Sequence, residues 1–178
     1  SIIKPNKLIL LYRNTMLKNF AVKILILLII ASLPFTAGEN KRKDISGKVI
    51  GVTDGDTIEL LIGRESVKVR LNGIDCPEKK QAFGQKAKQF TSDMVYRKTV
   101  TVAVSGKDRY GRILGDVTVE GKSLNKALVE NGFAWHFKKY SDDQVLANLE
   151  IKARNNRVGL WSDKNPMAPW DFRKSKRK

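Results

Sequence analysis

Between residues 45 and 119 the chain sets three short β-type runs close together, then a helical stretch, then two more such runs. That order narrows the folds open to it. Residues 45–52 combine β-branched residues with glycine and give way to Asp54-Gly55-Asp56. Thr57–Ile62 reads as a strand, Gly63-Arg64-Glu65 as a turn, and residues 66–71 as an alternating strand with Val67 and Val69 on one face. After Pro77 the period changes. Ala82, Phe83, Ala87, Phe90, Met94 and Val95 recur every three or four residues, which predicts an amphipathic helix running to about Arg97. Residues 99–104 and Ile113–Val119 are the fourth and fifth strands, joined by Lys107-Asp108-Arg109-Tyr110-Gly111-Arg112. Ser123 is placed to cap a short helix through Leu124, Ala127 and Leu128 that stops at Asn131-Gly132. Ser141-Asp142-Asp143-Gln144 has the capping-box pattern ahead of a third helix that ends near Gly159. Five strands, with one helix between the third and fourth and the others at the end, predict an α+β chain. Its centre is a five-stranded Greek-key β-barrel of the OB type, with three helices. Pro166, Pro169 and the basic run from Arg173 to Lys178 predict a basic carboxy-terminal tail over 162–178, frayed and solvated.

Ahead of the barrel, Lys18 and Lys23 precede Ile24-Leu25-Ile26-Leu27-Leu28-Ile29-Ile30, and Pro34, Thr36, Ala37 and Gly38 follow. A basic stretch, a short apolar run and small residues make a secretory signal peptide over 1–38. A membrane span needs roughly 20 apolar residues, so an uncleaved signal anchor is the second reading. Met16 heads a well-proportioned signal, and residues 1–15 are expected to be upstream sequence. A polar linker over 39–44 leads into the barrel domain at 45–161, and both readings of the leader make that domain exported: secreted, periplasmic or held at the cell surface.

The residue types present limit the chemistry. With one Cys and one His, His136, neither a disulfide framework nor a Cys- or His-rich metal site can form. Carboxylates, arginine, lysine, tyrosine and a hard metal ion remain. Against 34 Lys and Arg stand 18 Asp and Glu, a formal net charge of +16, which points to a polyanionic partner.

Three segments carry candidate chemistry. Asp54-Gly55-Asp56-Thr57 is by itself better read as a hairpin turn than as a site. In Arg70-Leu71-Asn72-Gly73-Ile74-Asp75-Cys76-Pro77-Glu78 the chain leaves a strand and approaches a helix, where Asp75 and Glu78 suit the positive end of the macrodipole. Yet Asp56, Asp75 and Glu78 all lie at strand ends and can also converge on one cation. An oxygen-only donor set selects Ca2+ or Mg2+ over zinc. Asp108-Arg109-Tyr110-Gly111-Arg112 is either an exposed charged hairpin or a phosphate clamp, its guanidinium groups donating to phosphate beside the Tyr110 ring.

In this order and spacing the three segments, the second extended back to Val69, resemble the thermonuclease family, the staphylococcal-nuclease-like domains. The resemblance covers roughly residues 45–161 and continues in Pro169-Trp170-Asp171-Phe172-Arg173, an ending seen in some bacterial members. It implies an OB-fold barrel with three helices and a calcium-dependent phosphodiesterase acting on DNA and RNA, single-stranded or denatured strands above all. Carried over residue by residue, Asp56 and Asp75 are carboxylate ligands of the calcium, and Cys76 adds its main-chain carbonyl. Glu78 is the base or positioner of the attacking water, Arg70 and Arg112 hold the phosphate, and Tyr110 lines the nucleotide pocket beside Arg109. The products carry 3′-phosphate ends. No protein partner is implied, and a monomer is expected. The family's tyrosine-rich stretch after the second helix reads Ala134-Trp135-His136-Phe137 here, with Tyr140 standing in for one tyrosine. His136 is expected at a surface or pocket edge. Two other readings are a catalytically inactive nucleic-acid-binding OB module and a membrane-tethered polyanion-binding module. The first would have lost some of Asp56, Arg70, Asp75, Glu78 and Arg112; the second predicts neither metal dependence nor cleavage.

Overall fold

A computed structural model describes residues 44–177, so the leader and most of the linker read from the sequence lie outside the described residues. The elements are β1 (Asp44–Asp54), β2 (Thr57–Ile62), β3 (Glu65–Leu71), β4 (Ile74–Asp75), α1 (Gly84–Val95), β5 (Thr99–Lys107) and β6 (Ile113–Val119). There follow β7 (Lys122–Ser123), α2 (Leu124–Glu130), β8 (Trp135–His136), α3 (Gln144–Asn155), a 3-10 turn (Gly159–Ser162) and α4 (Pro169–Ser175).

Strand order β3-β2-β1-β5-β6 is antiparallel throughout, and a parallel β3–β6 pairing through Val69 and Ile113, Arg70 and Leu114, Leu71 and Gly115 closes it into a five-stranded barrel. Closure removes the open edges that would otherwise seek another strand. Alternation along each strand supplies the core: Val49 of β1, Ile58 and Leu60 of β2, Val69 and Leu71 of β3, Val100 and Val102 of β5, and Val117 and Val119 of β6 are all buried. Ala87 and Val95 of α1 cap this core, with Phe90 and Met94 packed against it. Inside, Asn125 of α2 is satisfied on both ends, accepting from Val117 N at 3.0 Å and donating to Asn72 O at 2.9 Å.

Three expectations change. Asp143, not Ser141, caps α3: its Oδ1 accepts from Val145 N at 2.7 Å and Leu146 N at 3.3 Å. The Ser141 hydroxyl is engaged with His136 Nε2 at 3.1 Å instead. His136 itself is buried, its backbone paired with Ile74 in a small β4–β8 ladder. Lastly, the barrel carries four helices. Pro169 opens the fourth with its φ already set for a helix and no N–H to satisfy. Trp170 stacks on Phe137 with centroids 5.2 Å apart and meets Trp135 edge-on at 5.5 Å. Trp170, docked on Phe137 and Trp135, holds 169–175 against the domain instead of leaving it frayed.

Candidate active site

One end of the barrel gathers acidic and basic groups from four parts of the chain. The β1–β2 turn is pinned from beneath by α1, where Thr91 Oγ1 donates to Gly55 O at 2.6 Å. A Cβ on Gly55 would stand 2.8 Å from both Ala87 Cβ and Cys76 Sγ, so only glycine lets the turn sit this deep. The turn delivers Asp56, which is 5% exposed. Its Oδ2 accepts from Cys76 N at 2.7 Å and its Oδ1 from Thr57 Oγ1 at 3.3 Å. Across the β2–β3 ladder Thr57 faces Arg70.

Arg70 joins the cluster. Its Nη2 lies 3.0 Å from Asp56 Oδ2 and 2.9 Å from Asp75 Oδ1, while Nη1 donates to Leu71 O and Ile74 O at 2.8 and 2.9 Å. Asp75 is 1% exposed. Burial pushes its carboxyl above the usual range, further than hydrogen bonding from Arg173 and the Arg70 charge pull it down, with Asp56 adding to the rise. Burial opposes the charge on Arg70, but Asp56 and Asp75 outweigh it and hold the guanidinium more firmly protonated than usual. Asp54, two residues before Asp56, is pushed up to about 7 by burial and then by the neighbouring Asp56 charge. The rise favours the protonated, neutral form of Asp54 beside Asp56.

Glu78 stands on the irregular segment between β4 and α1. That segment folds tightly onto the helix start: a Cβ on Gly84 would come within 1.9 Å of Glu78 O. Glu78 N donates to Gln81 Oε1 at 3.1 Å. The Glu78 carboxylate meets Arg173 of α4, whose Nη1 lies 2.7 Å from Glu78 Oε1 and whose Nη2 lies 2.7 Å from Asp75 Oδ2. Sequence reasoning placed Arg173 in a solvated tail and missed it. The signal that could have found it is Pro169 followed by two aromatics, a helix start with an apolar face, which the surrounding lysines and arginines obscure.

The β5–β6 loop brings the second predicted arginine. Asp108 Oδ1 accepts from Tyr110 N and Arg112 N at 2.9 and 3.0 Å, and Oδ2 accepts from Arg112 Nε at 2.7 Å. Burial raises the Asp108 pKa, but these hydrogen bonds together, Arg112 foremost, outweigh it and bring the carboxyl below the usual carboxylate range. Arg112 Nη1 reaches Thr57 Oγ1 at 3.4 Å, so one hydroxyl links it to Asp56. The guanidinium groups of Arg109 and Arg112 lie over the exposed Tyr110 ring, 4.8 and 5.7 Å from its centroid. Tyr140 is elsewhere. It sits edge-on to Phe137 at 4.8 Å, beside a pocket of about 390 Å³ whose lining includes Trp135, Phe137, Trp170, Lys138, Lys139 and Lys174. Through the β4–β8 ladder, in which Asp75 faces Trp135, that aromatic pocket begins one strand from the acidic cluster.

Of the three acids expected to surround a cation, two share one point. Asp56 Oδ2 and Asp75 Oδ1 both face Arg70 Nη2, while Glu78 joins them only through Arg173. Among the described residues no three His, Cys, Asp or Glu side chains form a metal cluster. The donors still fit a hard dication in kind: the buried carboxylate oxygens of Asp56 and Asp75, and no soft ligand. The Cys76 thiol is buried and its pKa is driven well above normal by desolvation and then by Asp56, so it stays protonated and is not a ligand.

Comparison with known proteins agrees with this arrangement. Residues 68–163 match the family described as staphylococcal nuclease homologue. A protein of Escherichia coli named as an uncharacterized endonuclease is 46% identical over 134 residues, 75% of this chain and 88% of its own length. The micrococcal nuclease of Shigella flexneri is 38% identical over 143 residues, 74% of this chain and 82% of its own length. Staphylococcal-like nuclease CAN1 of Arabidopsis thaliana is 43% identical over 110 residues, 62% of this chain and 34% of its own length. With a closed five-stranded barrel, the acidic and arginine residues gathered at one end of it, a family match over residues 68–163 and two bacterial relatives this similar over more than four-fifths of their own length, the chain belongs to the staphylococcal nuclease family.

Proposed function

We propose that this protein is an exported, calcium-dependent nuclease that hydrolyses phosphodiester bonds of DNA and RNA with little sequence specificity and leaves 3′-phosphate ends. The observation that carries the reading is the pairing of two buried carboxylates, Asp56 and Asp75, with Arg70, next to Glu78 and to an Arg112 linked through Thr57. Export rests on the leader sequence alone. The names of the relatives, an endonuclease and two nucleases among them, support the reaction class.

A phosphodiester is an anion that resists nucleophiles, and in-line attack builds charge on its equatorial oxygens. Arg112, and Arg70 through the Nε–H that makes none of the contacts above, are held donors for those oxygens, and fixed donors stabilise the transition state without reorganising. Glu78, partly exposed, accepts a proton from the attacking water. The new O–P bond forms on the face opposite the 5′ oxygen. The P–O5′ bond breaks, and the 5′ oxygen takes up a proton, leaving a 5′-hydroxyl and a 3′-phosphate. Asp56, Asp75 and the Cys76 carbonyl would hold the calcium ion, which when bound draws charge from the phosphoryl oxygens. Tyr110, with Arg109 beside it, offers a face and a charge for the nucleotide. The aromatic pocket next to Asp75, rimmed by Lys138, Lys139 and Lys174, suits unpaired bases and a backbone, which favours single strands. Nothing in these contacts reads base edges, and a backbone contact is blind to sequence.

The full chain, assayed on heat-denatured DNA and on RNA, is expected to cut both with added Ca2+ and to stop on chelation. Glu78→Gln is expected to lose roughly 10²–10⁴ in rate, the usual contribution of a general base. Unchanged rates in Glu78→Gln would remove its role. Tight binding with no cleavage would replace the reading with that of an inactive nucleic-acid-binding module.

A further inference from the structure

Arg173 lies 98 residues from Asp75 and 95 from Glu78 in sequence, and beyond the 68–163 segment that matches the family. It nonetheless makes the shortest contacts to both carboxylates: Nη1 to Glu78 Oε1 and Nη2 to Asp75 Oδ2, each 2.7 Å, with a third from Nη1 to Asp75 Oδ1 at 3.3 Å. The helix that carries it is itself anchored. Trp170 is stacked on Phe137, Ala168 and Pro169 are buried, and Gln81 Nε2 donates to Met167 O at 2.6 Å while Gln81 Oε1 accepts from Glu78 N. The approach to α4 and the Glu78 segment are therefore tied to each other twice, once through Gln81 and once through the guanidinium.

We propose that Arg173 is a positioning residue for Glu78, so that α4 completes the active site. Glu78 needs one. Its side chain is 39% exposed and rises from a segment that is neither helix nor strand, where a glutamate with three rotatable bonds samples many rotamers. Arg173 removes that freedom with a planar fork whose two arms are set by Asp75, a carboxylate fixed in turn by Arg70 and only 2% exposed. It engages Oε1 of Glu78, and the other oxygen is left to accept the proton of water. Since a small misplacement of a reacting group costs orders of magnitude in rate, a fixed Glu78 raises kcat rather than substrate affinity. The proposal rests on Glu78 serving as the base in the nuclease reading.

The test compares full-length Arg173→Ala, Arg173→Lys, Glu78→Gln and the double variant Glu78→Gln with Arg173→Ala, on denatured DNA at saturating Ca2+. Arg173→Ala is expected to lower kcat about 10- to 100-fold with KM changed by less than about 3-fold, the range seen for groups that orient a reacting residue. Arg173→Lys keeps a cation beside Asp75 and thus the fold, but not the fork, and its kcat is expected to fall between wild type and Arg173→Ala. In the Glu78→Gln background Arg173→Ala is expected to add less than about 3-fold, because its effect passes through the carboxylate already lost. An equal loss in both backgrounds, a loss confined to KM, or a kcat that is unchanged or raised in both single Arg173 variants would overturn the proposal. If instead Glu78→Gln is as active as wild type, it is the assignment of the base that fails.

Discussion

Two of the Asp–Arg partnerships at the site stand in contrasting surroundings. Arg70 is held by Asp56 and Asp75 inside the barrel mouth, with 14% of its side chain exposed and its partners at 8% and 2%. Arg112 is held by Asp108 on a loop, with 30% and 16% exposed. A buried guanidinium between two buried carboxylates is structural whatever else it does, since its removal takes from Asp56 the guanidinium it pairs with and leaves Asp75 to Arg173 alone. A loop guanidinium in contact with solvent contributes little to stability, and on the proposed function it is the one accessible to the phosphate. Arg70→Ala is therefore expected to lose about 3–5 kcal/mol of stability along with its activity. Arg112→Ala should stay within about 1 kcal/mol of wild type, yet lose roughly 10²–10³ in rate. Urea unfolding curves and a nuclease assay on both variants separate the two cases. Similar stability losses in the two would break the distinction.

The same contrast explains which parts were legible in the sequence. Strand periodicity gave the barrel, because Val67, Val69 and Leu71 alternate against a single core. The order of Asp56, Arg70, Asp75, Glu78 and Arg112 was readable because each stands at a strand end or turn, where polar residues need a reason to be. Two features were not readable. A serine and an aspartate both cap helices, and only the His136 contact shows why Ser141 is taken and Asp143 does the capping. Arg173 was hidden because charge alone does not tell a docked basic helix from a solvated one; the distinction lies in Trp170 finding Phe137 and Trp135, which no local pattern reveals.

Packing under the buried half sharpens the comparison at a smaller scale. Gly55 is where the Asp56 turn touches α1 and the Cys76 thiol, both 2.8 Å from an added Cβ. Neither neighbour can yield cheaply, because Ala87 is on a helix backbone and Cys76 N is bonded to Asp56. Gly55→Ala is expected to cost about 1–3 kcal/mol by overpacking and, on the proposed calcium-dependent function, to raise the calcium requirement by tilting Asp56 away from Asp75. Thermal unfolding read by circular dichroism gives the first number, and the calcium concentration for half-maximal rate gives the second. A variant with unaltered melting temperature would mean that the turn does not sit as deep as the contacts imply.

The smallest effect belongs to the loop. Asp108 holds Arg112 and two loop amides, and these bonds bring its pKa below the unfolded value near 3.8. A carboxylate with a depressed folded pKa adds stability that is complete above the unfolded value and is lost as pH falls through the lower folded one. Asp108→Asn should therefore be less stable than wild type by about 0.5 kcal/mol at pH 7, and the difference should close as the pH falls below about 4. Its rate is expected to drop several-fold, far less than that of Arg112→Ala, since the guanidinium remains but is no longer aimed. If Asp108→Asn loses as much rate as Arg112→Ala, the carboxylate is doing more than orienting the arginine, and the loop would rank with the buried cluster as a place where aspartate itself meets the reaction.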